Sequence, residues 1–234
     1  MSTEWAHDRR TRRTAFLVLA TLLALLFIAL ADHAEDEAER HAWSSVDVAA
    51  RSLVQRERHP ALDAPVRRLS DLASASVLVP LNLVVLVALW RRHQGLALLV
   101  PSLTLVSTLL GAVTKWLVAR PRPGLTGYGF PSGHVLVAVV FYGAVMYLGW
   151  TLLERALWRW AGPGAAVLVI LGVAYSRLYL DAHWLTDVLG AVAGGGASLL
   201  VALAWVEHRR APGPPGPWRD ARTRAAGRPP DVLA

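Results

Sequence analysis

Apolar residues fall in long, nearly unbroken runs, and polar residues are pushed into the segments between them. Six runs approach or reach the roughly 20 mostly apolar residues that an α-helix needs to cross a bilayer: Thr14–Ala31, Leu72–Trp90, Leu96–Val118, His134–Leu153, Gly164–Leu180 and Trp184–Val206. None alternates apolar and polar residues as a barrel strand would. The pattern therefore predicts an all-α, polytopic membrane protein, a bundle of six transmembrane helices. Prolines fall mainly at or near span ends, at Pro121, Pro123, Pro131 and Pro163; Pro80 and Pro101 lie inside spans and are expected to bend them.

The connections set the orientation. Arg9, Arg10, Arg12 and Arg13 precede the first span, Arg91 and Arg92 sit in the second connection, Arg155 and Arg159 in the fourth, and the C-terminal tail is rich in arginine. Six spans put these four segments on one side, and basic segments mark the cytoplasm. Both termini are then expected in the cytoplasm of a multi-pass cell-membrane protein. The first connection, residues 32–71, is long and mixed in charge, and fits the outer side. Within it Trp43, Val46, Ala50, Leu53 and Val54 have helical spacing, which predicts an interfacial helix. The domain layout read this way is a basic tail over 1–13, a membrane domain over 14–206, and a tail over 207–234 whose Pro, Gly and Arg content predicts disorder. The basic start of the first span and the triplet Ala29-Leu30-Ala31 also resemble a signal peptide, but its apolar run is long for that role.

Composition narrows the function. There is no cysteine, so disulfides and thiolate metal sites are excluded. The net charge of +7 lies mostly in the tails. No nucleic-acid motif accompanies it, so anionic membrane lipid is the expected partner and nucleic acid is not. Against 24 basic residues Lys115 is the single lysine, a background that points to a specific use for an ammonium there.

Chemistry-bearing residues gather in the third and fifth connections, both on the predicted outer face. The third holds Lys115, Arg122-Pro123 and Pro131-Ser132-Gly133-His134; the fifth holds Ser176-Arg177, His183 and Asp187. Ionisable groups beside apolar spans normally face a protein interior or a water-filled site. Lys115, Arg122 and Arg177 lack enough local carboxylates to neutralise them and suit a phosphate, which arginine grips through its planar fork and lysine meets as a point charge. Gly133 allows close backbone approach to an anion near a helix N-terminus, and Ser132 is placed to cap that helix and to donate to phosphate. His183 and Asp187 are four apart, on one helix face. The carboxylate can fix the imidazole tautomer so that the other ring nitrogen attacks phosphorus, with His134 as acid and base for the leaving oxygen and for water. His134, His183 and Asp187 are also a possible iron or zinc set, but three cations nearby oppose a metal. Arg120 lies off this pattern and reads as a solvated residue; Asp181 reads as a loop or capping residue, and Gly190, Gly194, Gly195 and Gly196 as points of close helix packing.

At these residues the chain resembles the type 2 phosphatidic acid phosphatase (PAP2) family, the lipid phosphate phosphatase and haloperoxidase superfamily. The family pattern K-x6-R-P, P-S-G-H, S-R-x5-H-x3-D reads here as Lys115 to Arg122-Pro123, Pro131 to His134, and Ser176-Arg177 to His183 to Asp187. Trp184 departs from common members, where a smaller aromatic often follows the histidine. The resemblance implies a PAP2/haloperoxidase-like helical core and a phosphohistidine on His183, oriented by Asp187, with His134 as acid–base. Phosphate would be held by Lys115, Arg122, Ser132, Gly133, Ser176 and Arg177. It further implies a metal-independent phosphatase without cofactor, acting at the outer face on a lipid phosphate: phosphatidic acid, phosphatidylglycerol phosphate or a polyprenyl diphosphate. Soluble haloperoxidase relatives hold vanadate in such a cradle, but this chain is too apolar for that branch. Two other expectations stay open: phosphoryl transfer to an alcohol acceptor, and lipid-phosphate binding without turnover. Oligomeric state leaves no trace in the sequence.

Overall fold

A computed structural model describes residues 2–91, 93–152 and 156–209. The predicted C-terminal tail from residue 210 and the connection residues Arg92 and Arg155 lie outside the described residues. Among the described residues eight helices follow one another: α1 (Ser2–Arg40), α2 (Ser45–Arg56), α3 (Pro60–Asp71), α4 (Ala75–Trp90), α5 (Gln94–Val118), α6 (Gly133–Leu152), α7 (Ala156–Tyr179) and α8 (Leu185–Arg209). Six helical segments are long and apolar enough to span a bilayer: α1, α3 together with α4, and α5 to α8. The chain is a multi-pass membrane protein. Its outward faces carry exposed apolar residues such as Leu22, Ile28, Val79, Leu109 and Leu168, as expected of surfaces that lipid covers.

Buried side chains concentrate on α6 and α8, the most enclosed spans. The core runs through Val135, Leu136, Val139, Phe141 and Ala144 of α6 to Val173 of α7 and Val188, Ala191 and Leu199 of α8. The glycines of α8 serve this packing. A methyl on Gly190 would collide with the Phe130 ring, and one on Gly195 would come within 2.9 Å of the Leu136 carbonyl. Small residues let helix backbones approach closely where lipid gives no hydrophobic drive between helices.

The segments beyond the spans differ from the sequence expectation. Residues 2–13, read as a tail, continue α1 as helix, and α8 extends through residues 207–209. The first connection is shorter than its polar composition suggested, because α1 runs on to Arg40; α2 and α3 fill the rest. Helix α2 covers the expected helical stretch from Val46 to Val54, while Trp43 lies before it. It buries Asp47 and leaves Val46 and Leu53 exposed, so the face docked on the bundle is a polar one. Ser44 caps it, its hydroxyl accepting from the Asp47 N–H at 3.3 Å. Gln55 donates to the carbonyls of Leu178 and Tyr179 at 3.0 and 3.2 Å, and the Tyr179 hydroxyl bonds to the backbone of His59. These bonds tie the α2–α3 cap to the end of α7.

Candidate active site

The loop between α5 and α6 places most of the polar side chains, and its shape follows from its sequence. Helix α5 ends at Ala119, which takes the left-handed conformation (φ 50°), while its N–H bonds the Lys115 carbonyl. Arg120 precedes a proline, which disfavours continued helix. The strand-like pair Pro121–Tyr128 closes the loop, with Gly127 at φ 85° making the turn. The Gly129 N–H then returns to the Arg120 carbonyl at 2.7 Å. A Cβ on Gly129 would lie 2.6 Å from Asp187 Oδ2, so a glycine is what permits the loop to close over that carboxylate.

Lys115 and Arg122 meet on this loop. Lys115 Nζ donates to the carbonyls of Gly129 and Pro131 at 2.7 and 2.5 Å, and Arg122 Nε donates to that of Tyr128 at 2.9 Å. The Ser132 N–H donates to the Asp187 carbonyl at 3.1 Å, which fixes the start of α6 against the start of α8. The hydroxyl of Ser132 is buried and has no partner among the described residues, so the expected side-chain cap on α6 is not made. At the helix N-terminus the first N–H groups, beginning with Gly133, point outward as donors suited to an anion. From α7, Arg177 donates through Nη1 to Ser70 Oγ at 2.7 Å, and its buried Nε lacks a partner among the described residues. Ser176 stands apart from the other candidates: its hydroxyl donates to the Val173 carbonyl within its own helix at 2.6 Å.

His183 is buried just before α8, and Nδ1 lies 3.2 Å from Asp187 Oδ2. The same oxygen accepts the Trp184 N–H at 3.0 Å. Asp187 is acceptor-only when ionised, so Nδ1 carries the proton and Nε2 keeps its lone pair. Burial pushes the imidazole pKa down to about 4, against the opposing pull of the hydrogen bond and charge of Asp187; Lys115 and Arg177 add to the lowering. His183 is therefore neutral near pH 7, with one nucleophilic nitrogen.

Arg120, read from the sequence as solvated, is fully buried. Nη1 donates to Asp187 Oδ1 at 2.8 Å and to Thr186 Oγ1 at 2.7 Å. Nη2 donates to Asp47 Oδ2 at 2.7 Å and to Glu37. Burial works against its charge, but Asp187, Asp47 and Glu37 outweigh that and hold the pKa above the ordinary arginine value. Sequence reasoning also missed Glu37 and Asp47; no local spacing links them to the site, since they lie 83 and 73 residues from Arg120. Asp181 sits in a turn at φ 56° and binds Arg51 of α2 through two bonds of 2.7 Å.

Two openings flank these residues. An apolar groove of about 730 Å³ runs between α4, α5 and α6 from Lys115, Gly133 and His134 to Leu78, Thr104 and Leu105. A second recess of about 530 Å³, of mixed polar and apolar lining, is bordered by Trp43, Arg51, Gln55, Arg122 and Trp184. Lys115, Gly133 and His134 thus border the apolar groove, and Arg122 borders the other recess.

The fold is that of a helical membrane protein, with His183 buried beside the candidate anion donors. The PAP2 superfamily model matches residues 124–211 of the chain. That match begins after the Lys115–Arg122 segment. The chain is 32% identical over 134 residues to an undecaprenyl-diphosphatase of Sulfolobus acidocaldarius, a match spanning 52% of this chain and 59% of that protein's length. It is 29% identical over 182 residues to phosphatidylglycerophosphatase B of Bacillus subtilis, covering 72% of this chain and 85% of that one. The crystal structure of the transmembrane PAP2 type phosphatidylglycerolphosphate phosphatase from Bacillus subtilis superposes with a TM-score of 0.73 at 26% identity, over 82% of this chain and 97% of that one. Aquifex aeolicus LpxE shares the fold with a TM-score of 0.55 at 20% identity, over 68% of this chain and 96% of that one.

Proposed function

We propose that this chain hydrolyses the phosphate of a lipid phosphomonoester or diphosphate through a phosphohistidine on His183. The observation that carries the reading is the buried His183–Asp187 pair, with its lone pair left on Nε2, beside a set of cationic and backbone donors. In the first step Nε2 attacks phosphorus and the bond from phosphorus to the lipid oxygen breaks. His134, at the mouth of the apolar groove, supplies the proton that oxygen needs. In the second step His134 takes a proton from water, whose oxygen attacks phosphorus; the N–P bond breaks, and phosphate leaves with His183 neutral again. Lys115, Arg122 and Arg177, together with Ser132 and the Gly133 N–H, stabilise charge on the phosphoryl oxygens. Ser176 contributes through its place in the helix, because its hydroxyl is engaged with Val173.

The groove between α4, α5 and α6 supports a lipid tail as the remainder of the substrate. The similar proteins bring two substrate classes, a polyprenyl diphosphate and phosphatidylglycerol phosphate. The arginine distribution supports a reaction on the periplasmic or extracellular side, with both termini in the cytoplasm. Reporter tags at Arg92 and Ala234 are expected to report the cytoplasm; a tag at Arg92 found outside overturns that sidedness.

The direct test is phosphate release from a panel of lipid phosphates and diphosphates, in detergent with excess EDTA, by wild type and by His183→Ala. Release by wild type alone is the expected result. Equal release by both removes His183 as nucleophile, and silence from folded protein of both kinds favours binding without turnover.

A further inference from the structure

We infer that Arg120 is a positioning residue for Asp187, and that Glu37 of α1 and Asp47 of α2 act on the site through it. The inference rests on the phosphohistidine reading above. Its ground is a closed network. Asp187 Oδ2 is shared by His183 Nδ1 and the Trp184 N–H, while Oδ1 receives Arg120 Nη1. A carboxylate rotates readily about its terminal torsion. The charged bond from Arg120 Nη1 to Oδ1, opposite the two bonds on Oδ2, holds the carboxylate plane, and with it the direction of the bond to His183.

Arg120 is itself held at four points. Thr186 Oγ1 accepts from Nη1 and donates to Asp47 Oδ2 at 2.6 Å, and the Thr186 N–H donates to Asp47 Oδ1 at 2.9 Å. Glu37 takes Nη2 through one oxygen and the Ser44 N–H through the other at 2.6 Å. All four Nη–H groups are committed. The guanidinium also lies 5.9 and 5.7 Å from the ring centroids of Trp43 and Trp184, which stack on each other at 5.1 Å.

Packing alone does not explain such a group. A buried ion cluster is often no more stable than apolar residues of the same volume, so its retention calls for a geometric role. The geometry here leads to one atom pair, Asp187 Oδ1 and Arg120 Nη1, one residue away from the nucleophile's own hydrogen bond. It also gives the end of α1 and helix α2 a part in a site whose sequence motifs all lie beyond residue 114.

The test is a double-mutant cycle on the full-length protein in detergent, with a radiolabelled lipid phosphate that the wild type turns over. Arg120→Lys keeps the charge and loses the fork. It is expected to lower kcat by about 10–100-fold, as removal of an outer partner does at metal sites, with KM within about twofold. In an Asp187→Asn background the same substitution is expected to cause no further loss, because its effect passes through the carboxylate. Asp47→Asn, which leaves the Arg120–Asp187 contact in place, should show a smaller loss of the same non-additive kind and decides the matter if Arg120→Lys does not yield folded protein. Wild-type kcat in folded Arg120→Lys, or full additivity with Asp187→Asn, overturns the inference. His183→Ala run alongside separates the two levels: an active His183→Ala sinks the phosphohistidine reading, whereas an inactive one beside a fully active Arg120→Lys sinks only the role of Arg120.

Discussion

Replacing Asp187 by asparagine swaps one carboxylate oxygen for an NH2 group and leaves the volume unchanged. Three N–H donors converge on the carboxylate: His183 Nδ1 at 3.2 Å, the Trp184 N–H at 3.0 Å and Arg120 Nη1 at 2.8 Å. Asparagine can satisfy only one side. If its oxygen faces His183, the NH2 points at a buried guanidinium and forfeits a charged hydrogen bond of about 1.5–3 kcal/mol. If its oxygen faces Arg120, the NH2 points at Nδ1 and forces His183 into the other tautomer, with the proton on Nε2. That orientation also gives up the Trp184 N–H bond, a neutral one of about 0.5–1.5 kcal/mol; the charged bond is the stronger, so the second orientation wins and the nucleophilic lone pair is lost. In the serine-protease triad the corresponding wrong tautomer lowers kcat by about 10⁴-fold, equivalent to about 5.5 kcal/mol of barrier. A loss of that order is expected here, with KM changed by less than about threefold because the phosphate donors are untouched. Folding should survive, since the change removes one negative charge from three buried carboxylates gathered on one arginine. Steady-state turnover of wild type and Asp187→Asn, with thermal unfolding as control, measures this. Equal losses in kcat and affinity, or a kcat within tenfold of wild type, would refute the tautomer argument.

Three further outcomes follow from the structure. Because the His183 pKa is pushed down to about 4 by burial, kcat/KM corrected for substrate ionisation should hold as pH falls through 6.5 and drop only near 4; a limb at 6–6.5 would mean that the reacting histidine is solvated. The same lowered pKa contributes stability that is present above the unfolded-state value of about 6.5 and is lost as pH falls towards 4. Gly190→Ala drives a methyl into the Phe130 ring and should cost about 1–3 kcal/mol of stability, read as a fall in the unfolding temperature in detergent; an unchanged midpoint would show that the ring can give way.

The membrane architecture was legible in the chain because bilayer thickness dictates the length of each apolar run, and run length is a local property. The His183–Asp187 pairing was legible from the four-residue spacing, although the shared helix face expected of it is not what joins them: His183 lies before α8, and the chain turning into that helix brings its ring to Asp187. Motif order also put Lys115, Arg122, Ser132, Gly133, His134 and Arg177 forward as one set. Ser176 shows where such reading stops. The pattern names the residue, but only the folded helix shows its hydroxyl bonded to Val173. Arg120 shows it more sharply. Its neighbours in sequence suggest a solvated loop arginine, yet its partners Glu37, Asp47 and Asp187 come from α1, α2 and α8. Burial of a charge depends on counter-charges that distant segments deliver, and no periodicity within one segment encodes their arrival. The polar docking of α2 has the same origin, since its apolar stripe indicated a helix but gave no sign that Asp47 would be its buried contact. Sequence by itself therefore determined the spans, their order and the pairing of His183 with Asp187; tertiary structure alone decided which charges are buried together, because electrostatic partnership is set by distance in space and not along the chain.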